Sequence, residues 1–172
     1  MEEQKVDPKW EGEASAEIKG TTPQQVWDLV QDFGNVHKWF PNLETCYLLD
    51  DGNQFPAQTG LIRYCAYTQT TSSSGTDQTI TWWAKEKLIM IDPIKRCLSY
   101  QILENNMGFK WYVGTMEVLP IHDDGKNGCK IKWSFVCEPV EEGWSYEVLV
   151  SFYDSTLKLI AKKMEELLRS SI

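Results

Sequence analysis

The sequence predicts an α+β domain: a curved antiparallel sheet of about seven strands wrapped around one long C-terminal α-helix, with two short helices after the first strand. Three observations predict it. From Cys46 to Cys137 apolar and polar residues alternate in short runs separated by turn-forming residues, which is the pattern of strands with one covered face. After Glu141-Glu142-Gly143 the period changes, and Leu149, Tyr153, Leu157, Ile160, Met164 and Leu168 recur at helical spacing. Sequential antiparallel strands need their apolar face covered, and a single long amphipathic helix laid across a bent sheet covers it.

In chain order, residues 1–9 form a flexible tail, and residues 10–172 form a single domain without repeats or linkers. Trp10 to Lys19 alternates weakly through Ala14, Ala16 and Ile18, as an edge strand does, and Gly20 ends it. Thr22-Pro23-Gln24-Gln25 opens a helix: Thr22 caps it, Pro23 suits the first turn and Gln25 closes a capping box. Val26, Trp27, Val30 and Phe33 give this helix an apolar stripe, and Asn35 to Trp39 forms a second short helix before Pro41. Cys46 to Leu49 is a short strand, and Asp50-Asp51-Gly52-Asn53 a turn. Thr59 to Tyr67 is the next strand, followed by a Ser/Thr/Gly loop from Thr70 to Gly75. After the central strand, Leu98, Tyr100 and Ile102 mark an apolar face, and Glu104 to Gly108 a loop. Tyr112, Gly114, Met116 and Val118 mark the next face. His122 to Gly128 is a polar hairpin loop, beyond which Cys129, Ile131, Trp133, Phe135 and Cys137 alternate with polar residues.

The central strand, Thr79 to Ile91, carries an anomaly. Its even positions are Ile80, Trp82, Ala84, Glu86, Leu88 and Met90, apolar except at Glu86, whereas both lysines and both threonines lie on the odd positions. A carboxylate on an apolar face is costly unless it is paired, protonated or set beside a cavity that admits water or ligand. In the preceding strand Leu61, Arg63, Cys65 and Tyr67 share a face, so an unbulged pairing sets Arg63 beside Glu86. Tyr112 lies on the apolar parity of a later strand. Two readings stand: a polar device that orients a small ligand or moves a proton, or an ion pair that braces the sheet with Tyr112 as packing.

Composition narrows the function. Eight Trp and seven Tyr supply large aromatics for a cavity wall or for a bulky core, and a net charge of −8 argues against nucleic acid and against anionic membrane surfaces. No apolar run approaches the roughly 18 residues of a membrane span. The acidic start Met1-Glu2-Glu3 is the opposite of a secretory signal, and five cysteines without a C-x-x-C pair give neither a zinc site nor a disulfide framework. A reduced, cytoplasmic protein with no metal and no cofactor is expected; the sequence says nothing of its oligomeric state. His37 is expected as a cap or surface contact, His122 as solvated, and Cys129 and Cys137 as small core residues.

Asp32-Phe33, Asn35, His37-Lys38, Pro41, Gly60, Arg63-Tyr64, the run Trp83-Ala84-Lys85-Glu86-Lys87-Leu88, the Gly108-to-Met116 segment and Trp133-Ser134-Phe135 with Cys137 together resemble the plant lachrymatory factor synthase group. That group belongs to the helix-grip superfamily of birch-pollen-allergen-like, polyketide cyclase and START lipid-transfer proteins. The resemblance covers about residues 10 to 170. It implies a hydrophobic ligand cavity, with Arg63, Glu86 and Tyr112 as catalytic residues and Trp82, Phe109, Trp133 and Tyr153 as ligand contacts. It further implies isomerisation of 1-propenylsulfenic acid to propanethial S-oxide, with Glu86 relaying the proton, Arg63 holding the oxygen and Tyr112 fixing orientation. The sequence departs from the group at Phe109-Lys110-Trp111, which leaves the cavity one hydroxyl short. The alternative is a non-enzymatic carrier or sensor of an apolar plant metabolite, hormone or lipid. Thr70 to Gly75 and Glu104 to Gly108 lack the Ser-Gly-Leu-Pro-Ala gate and His-Arg-Leu latch of abscisic-acid receptors, which argues against that kind of sensor.

Overall fold

Alternating strands joined by short turns pair most simply with their neighbours in sequence, and the computed structural model shows that arrangement for every strand but the first, which pairs with the last. It describes residues 8–49, 57–121 and 128–169. The elements are β1 (Trp10–Lys19), α1 (Pro23–Val30), a single 3₁₀ turn (Val36–Lys38), β2 (Thr45–Leu49), β3 (Ile62–Ser73), β4 (Thr76–Asp92), β5 (Cys97–Asn105), β6 (Tyr112–Pro120), β7 (Gly128–Cys137) and α2 (Tyr146–Arg169). Among the described residues the sheet has seven antiparallel strands in the order β1-β7-β6-β5-β4-β3-β2. The chain thus leaves β1 for the opposite edge through α1 and the 3₁₀ turn, then returns strand by strand to pair β7 with β1. The α+β architecture is the predicted one.

Local signals explain the elements. Thr22 accepts the backbone N–H of Gln25 at 3.2 Å, and the Gln25 side chain accepts the N–H of Thr22 at 2.9 Å. This completes the capping box. Val26, Trp27 and Val30 then bury one face of α1. In β7, Cys129, Ile131, Trp133, Phe135 and Cys137 are all buried, and in α2 Leu149, Tyr153, Leu157, Ile160 and Met164 meet them. The main-chain N–H of Lys19 donates to Glu165 Oε1 at 2.8 Å, which ties the end of β1 to α2.

Three expectations are corrected. The segment from Thr70 to Gly75 is not a loop. Strand β3 runs to Ser73 and β4 starts at Thr76, joined by Ser74 (φ 54°) and Gly75 (φ 77°). Two successive positive φ angles make the two-residue turn whose twist suits a hairpin, and Ser72–Asp77 and Thr70–Thr79 side-chain hydrogen bonds hold the arm. The even face of β4 is inward only in its middle. Ile80 is exposed on the hairpin arm, and a register shift at Ile89 turns Met90 outward and Ile91 inward. The second predicted helix is only the 3₁₀ turn. The predicted 50–53 turn, nearly all of the 1–9 tail and nearly all of the 122–128 loop lie outside the described residues.

Candidate functional site

The register of β3 and β4 is unbroken from Ile62 to Ser73, so Arg63 and Glu86 are direct cross-strand partners. Arg63 Nε donates to Glu86 Oε1 at 2.8 Å, and both side chains are largely withdrawn from solvent (7% and 14% exposed). The guanidinium is flanked by two rings, Phe33 at 3.9 Å and Tyr100 at 4.9 Å, and its Nη1 donates to the Phe33 carbonyl at 3.4 Å. Burial is the largest single influence on Arg63 and works against its charge, but Glu86 together with Cys65, Tyr100 and Cys46 outweighs it and raises the guanidinium pKa further. Arg63 therefore stays charged while Glu86 supplies the counter-charge. A second register shift, at Leu103 of β5, sits directly beside Glu86: Lys85 pairs with Glu104, whereas Glu86 pairs with Ile102. Bulges re-aim side chains, and this one adjoins the one carboxylate on the inner face of β4.

Between the sheet and α2 lies a cavity of about 140 Å³. That is close to the roughly 150 Å³ of an apolar protein cavity that accepts benzene, so it suits a ligand of only a few heavy atoms. Its lining is overwhelmingly apolar and aromatic, with Arg63 and Glu86 as the charged groups. Its outer end is bounded by Tyr67 and Trp82 of the hairpin, Met107 and Phe109 after β5, and Trp144 before α2. The β5–β6 loop is pinned by its own side chains. Asn105 bonds the Met107 and Phe109 N–H groups and the Phe109 carbonyl, while Asn106 bridges to Thr81 and Trp83 of β4.

All seven residues singled out from the sequence line this one cavity. Arg63 and Glu86 are in contact. Tyr112 is buried farther along the wall, stacked on Phe135 at 6.2 Å and set edge-on to Phe109 at 5.1 Å. Trp82 stands near the outer end, its Nε1 bonded to Gln69 at 3.0 Å. Phe109 packs against Trp144 there, and Tyr153 of α2 packs against Trp133 with ring centres 3.8 Å apart. The tyrosine over the guanidinium is Tyr100, which sequence reasoning left in the core. Its hydroxyl accepts from Trp133 Nε1 at 2.9 Å, and burial pushes its pKa well up, so it stays a neutral donor. Tyr153 is raised likewise by burial, and its hydroxyl is buried near that of Tyr100 without a well-formed hydrogen bond. Tyr100 reaches this place because the neighbouring residue on β6 is Gly114, where an added Cβ would come within 2.3 Å of the Tyr100 ring. The signal was present in the parity of Leu98, Tyr100 and Ile102, but only the pairing of Tyr100 with Gly114 gives it meaning.

A sheet folded over a terminal helix, with a small apolar cavity between them and one charged pair in its wall, defines a class of intramolecular ligand-cavity proteins. The chain belongs to the polyketide cyclase / dehydrase and lipid transport family, whose sequence profile matches residues 9–168. Solved structures agree on the fold. XoxI from Bacillus cereus superposes with a TM-score of 0.68 at 21% identity, covering 92% of this chain and 94% of its own. Norcoclaurine synthase from Thalictrum flavum, solved with dopamine and hydroxybenzaldehyde, superposes with a TM-score of 0.63 at 19% identity, covering 96% and 89%. Among the described residues no helix is long and apolar enough to cross a membrane, and no cluster of three or more His, Cys, Asp or Glu side chains is placed to hold a metal.

Proposed function

We propose that the cavity binds a small, mostly apolar metabolite bearing one polar oxygen, and that Glu86 moves a proton on it. The observation that carries this reading is the placement of the Arg63–Glu86 pair in the wall of an otherwise apolar cavity of about 140 Å³. Only Oε1 of Glu86 is engaged by Arg63. The finer proposal follows the resemblance to lachrymatory factor synthases. Arg63 holds the oxygen of a sulfenic acid, Glu86 takes its proton, and the same carboxyl returns that proton to the far alkene carbon. The carbon–carbon double bond shifts to carbon–sulfur, and no atom enters or leaves. A low-dielectric surround strengthens each of these contacts. Tyr112, Trp82, Phe109, Trp133 and Tyr153 hold the apolar part of the ligand against the wall.

A second reading rests on a specific observation. The guanidinium is already sandwiched by Phe33 and Tyr100 and bonded to the Phe33 carbonyl, as a structural brace would be. On that reading the cavity carries or senses an apolar metabolite without turnover. Glu86→Gln separates the two. It keeps size and polarity but cannot relay a proton, so conversion of freshly generated 1-propenylsulfenic acid is lost while a benzene-sized apolar probe still binds. Undiminished product formation by the variant removes Glu86 from the chemistry. A wild-type protein that binds the probe and converts nothing selects the carrier.

A further inference from the structure

Five cysteines with an odd count and no close spacing gave no reason to pair any two of them, yet the fold pairs Cys46 with Cys65. The two are direct cross-strand partners on β2 and β3, both buried, and their sulfurs lie 3.4 Å apart. Directly opposed residues in an antiparallel pair have Cα atoms about 4.5–5.5 Å apart, which falls within the roughly 4.4–6.8 Å that a disulfide spans. Among the described residues the other three cysteines have no sulfur partner: Cys97 is half-buried, Cys129 meets Thr21, and Cys137 is buried in the core. Cys65 lines the cavity, two residues from Arg63 on the same inner face of β3.

We infer that Cys46 and Cys65 form a redox-responsive dithiol, which a small peroxide entering the cavity oxidises to a cross-strand disulfide. The electrostatics favour it. The Cys65 S–H donates to Cys46 and, against the cost of burial, helped by the Arg63 charge, lowers the Cys46 thiol to about 6. The same hydrogen bond and burial raise Cys65, so at neutral pH the pair holds one proton and one thiolate. His37, whose Nδ1 is buried without a hydrogen-bond partner, stands against the Cys46 side. The attacking group must be a thiolate, and Cys65 is the sulfur that faces the cavity, so the proton shared between the two sulfurs passes to Cys46 before attack. Attack of the Cys65 thiolate on hydrogen peroxide forms a sulfur–oxygen bond and breaks the oxygen–oxygen bond, leaving a sulfenic acid and a hydroxide that a solvent proton converts to the first water. Cys46 sulfur then displaces the hydroxyl, which leaves as a second water once protonated. Two thiols are oxidised by two electrons and one peroxide is reduced to two waters.

Closing the link locks β2 to β3 at the cavity wall and removes the shared negative charge beside Arg63. Peptide mapping of the full-length protein after hydrogen peroxide and alkylation under denaturing conditions tests it. The expected result is a Cys46–Cys65-linked peptide, a mass loss of two hydrogens, alkylatable Cys129 and Cys137, and return of both thiols with dithiothreitol. In Cys46→Ser the link is lost, and Cys65 sulfenic acid accumulates where dimedone traps it. Peroxide that modifies Cys97 while Cys46 and Cys65 stay fully alkylatable overturns the inference, as does oxidation of Cys65 beyond the sulfenic state with no link formed. The wild-type map decides the matter even if Cys46→Ser fails to fold.

Discussion

Two ion pairs of almost equal length sit at opposite extremes of this molecule. Arg63 and Glu86 meet at 2.8 Å inside the sheet, with side chains 7% and 14% exposed. Lys110 and Glu141 meet at 2.9 Å outside it, near the approach to α2, with side chains 58% and 78% exposed. Distance alone makes them equivalents. What separates them is the medium: a buried charge that loses its partner has no water to fall back on, whereas an exposed one is resolvated and screened. The comparison teaches that the inner pair is indispensable as a pair without being a source of stability, since desolvating two ions offsets most of their attraction.

The strongest way to break the comparison is to remove one inner partner. Arg63→Leu leaves Glu86 charged and unpaired in the cavity wall, and should lower unfolding free energy by about 3–5 kcal/mol in urea titrations. The double variant with Glu86→Leu should recover most of that loss, because it removes the stranded charge together with its partner. If Arg63→Leu alone costs no more than loss of the outer pair does, water reaches Glu86 freely and the inner pair is no better sheltered than the outer one.

A subtler change leaves both inner charges in place and disturbs only their shelter. Gly114→Ala sets a methyl group within 2.3 Å of the Tyr100 ring, which must move off the guanidinium and off Trp133 Nε1. Overpacking of this kind costs about 1–3 kcal/mol. Apolar-probe affinity should fall along with the thermal midpoint, and Tyr100→Leu in the same chain should restore stability but not the Trp133 hydrogen bond. A Gly114→Ala protein with unchanged midpoint and affinity would show that Tyr100 has room to spare.

How far this contrast is visible in the residues alone follows from what alternation can encode. Parity is a local property, so the faces of β6, β7 and α2 were legible, and so was the meeting of Arg63 with Glu86 across an unbulged register. Bulges carry no residue signature of their own, which is why alternation points Met90 inward and gives no sign of the shift at Leu103. The hairpin arm failed for another reason. Its Ser, Thr and Gly residues are those of loops, but threonine is β-branched and the Ser74-Gly75 turn fixes the pairing on either side. Contacts that depend on which residue the neighbouring strand places opposite were least legible. Tyr100 over Arg63 needs Gly114 on the neighbouring strand, and Cys46 beside Cys65 needs the β2–β3 register.

The outer pair supplies the smallest expected effect and the sharpest control. The hydrogen bond between Lys110 and Glu141 lowers the Glu141 carboxyl below its ordinary 4.5 and raises the Lys110 ammonium. Because the folded carboxyl is the more acidic, what the pair contributes is in place above pH 4.5 and disappears as pH falls through the folded value. Both groups are exposed, so side-chain entropy and counterions take up most of that contribution. Lys110→Ala should therefore leave the urea midpoint unchanged within error near neutral pH, and added salt should remove any residual difference from wild type. A measurable loss that persists in high salt would mean that Lys110 acts through contacts other than charge, and that equal distance was after all the better guide.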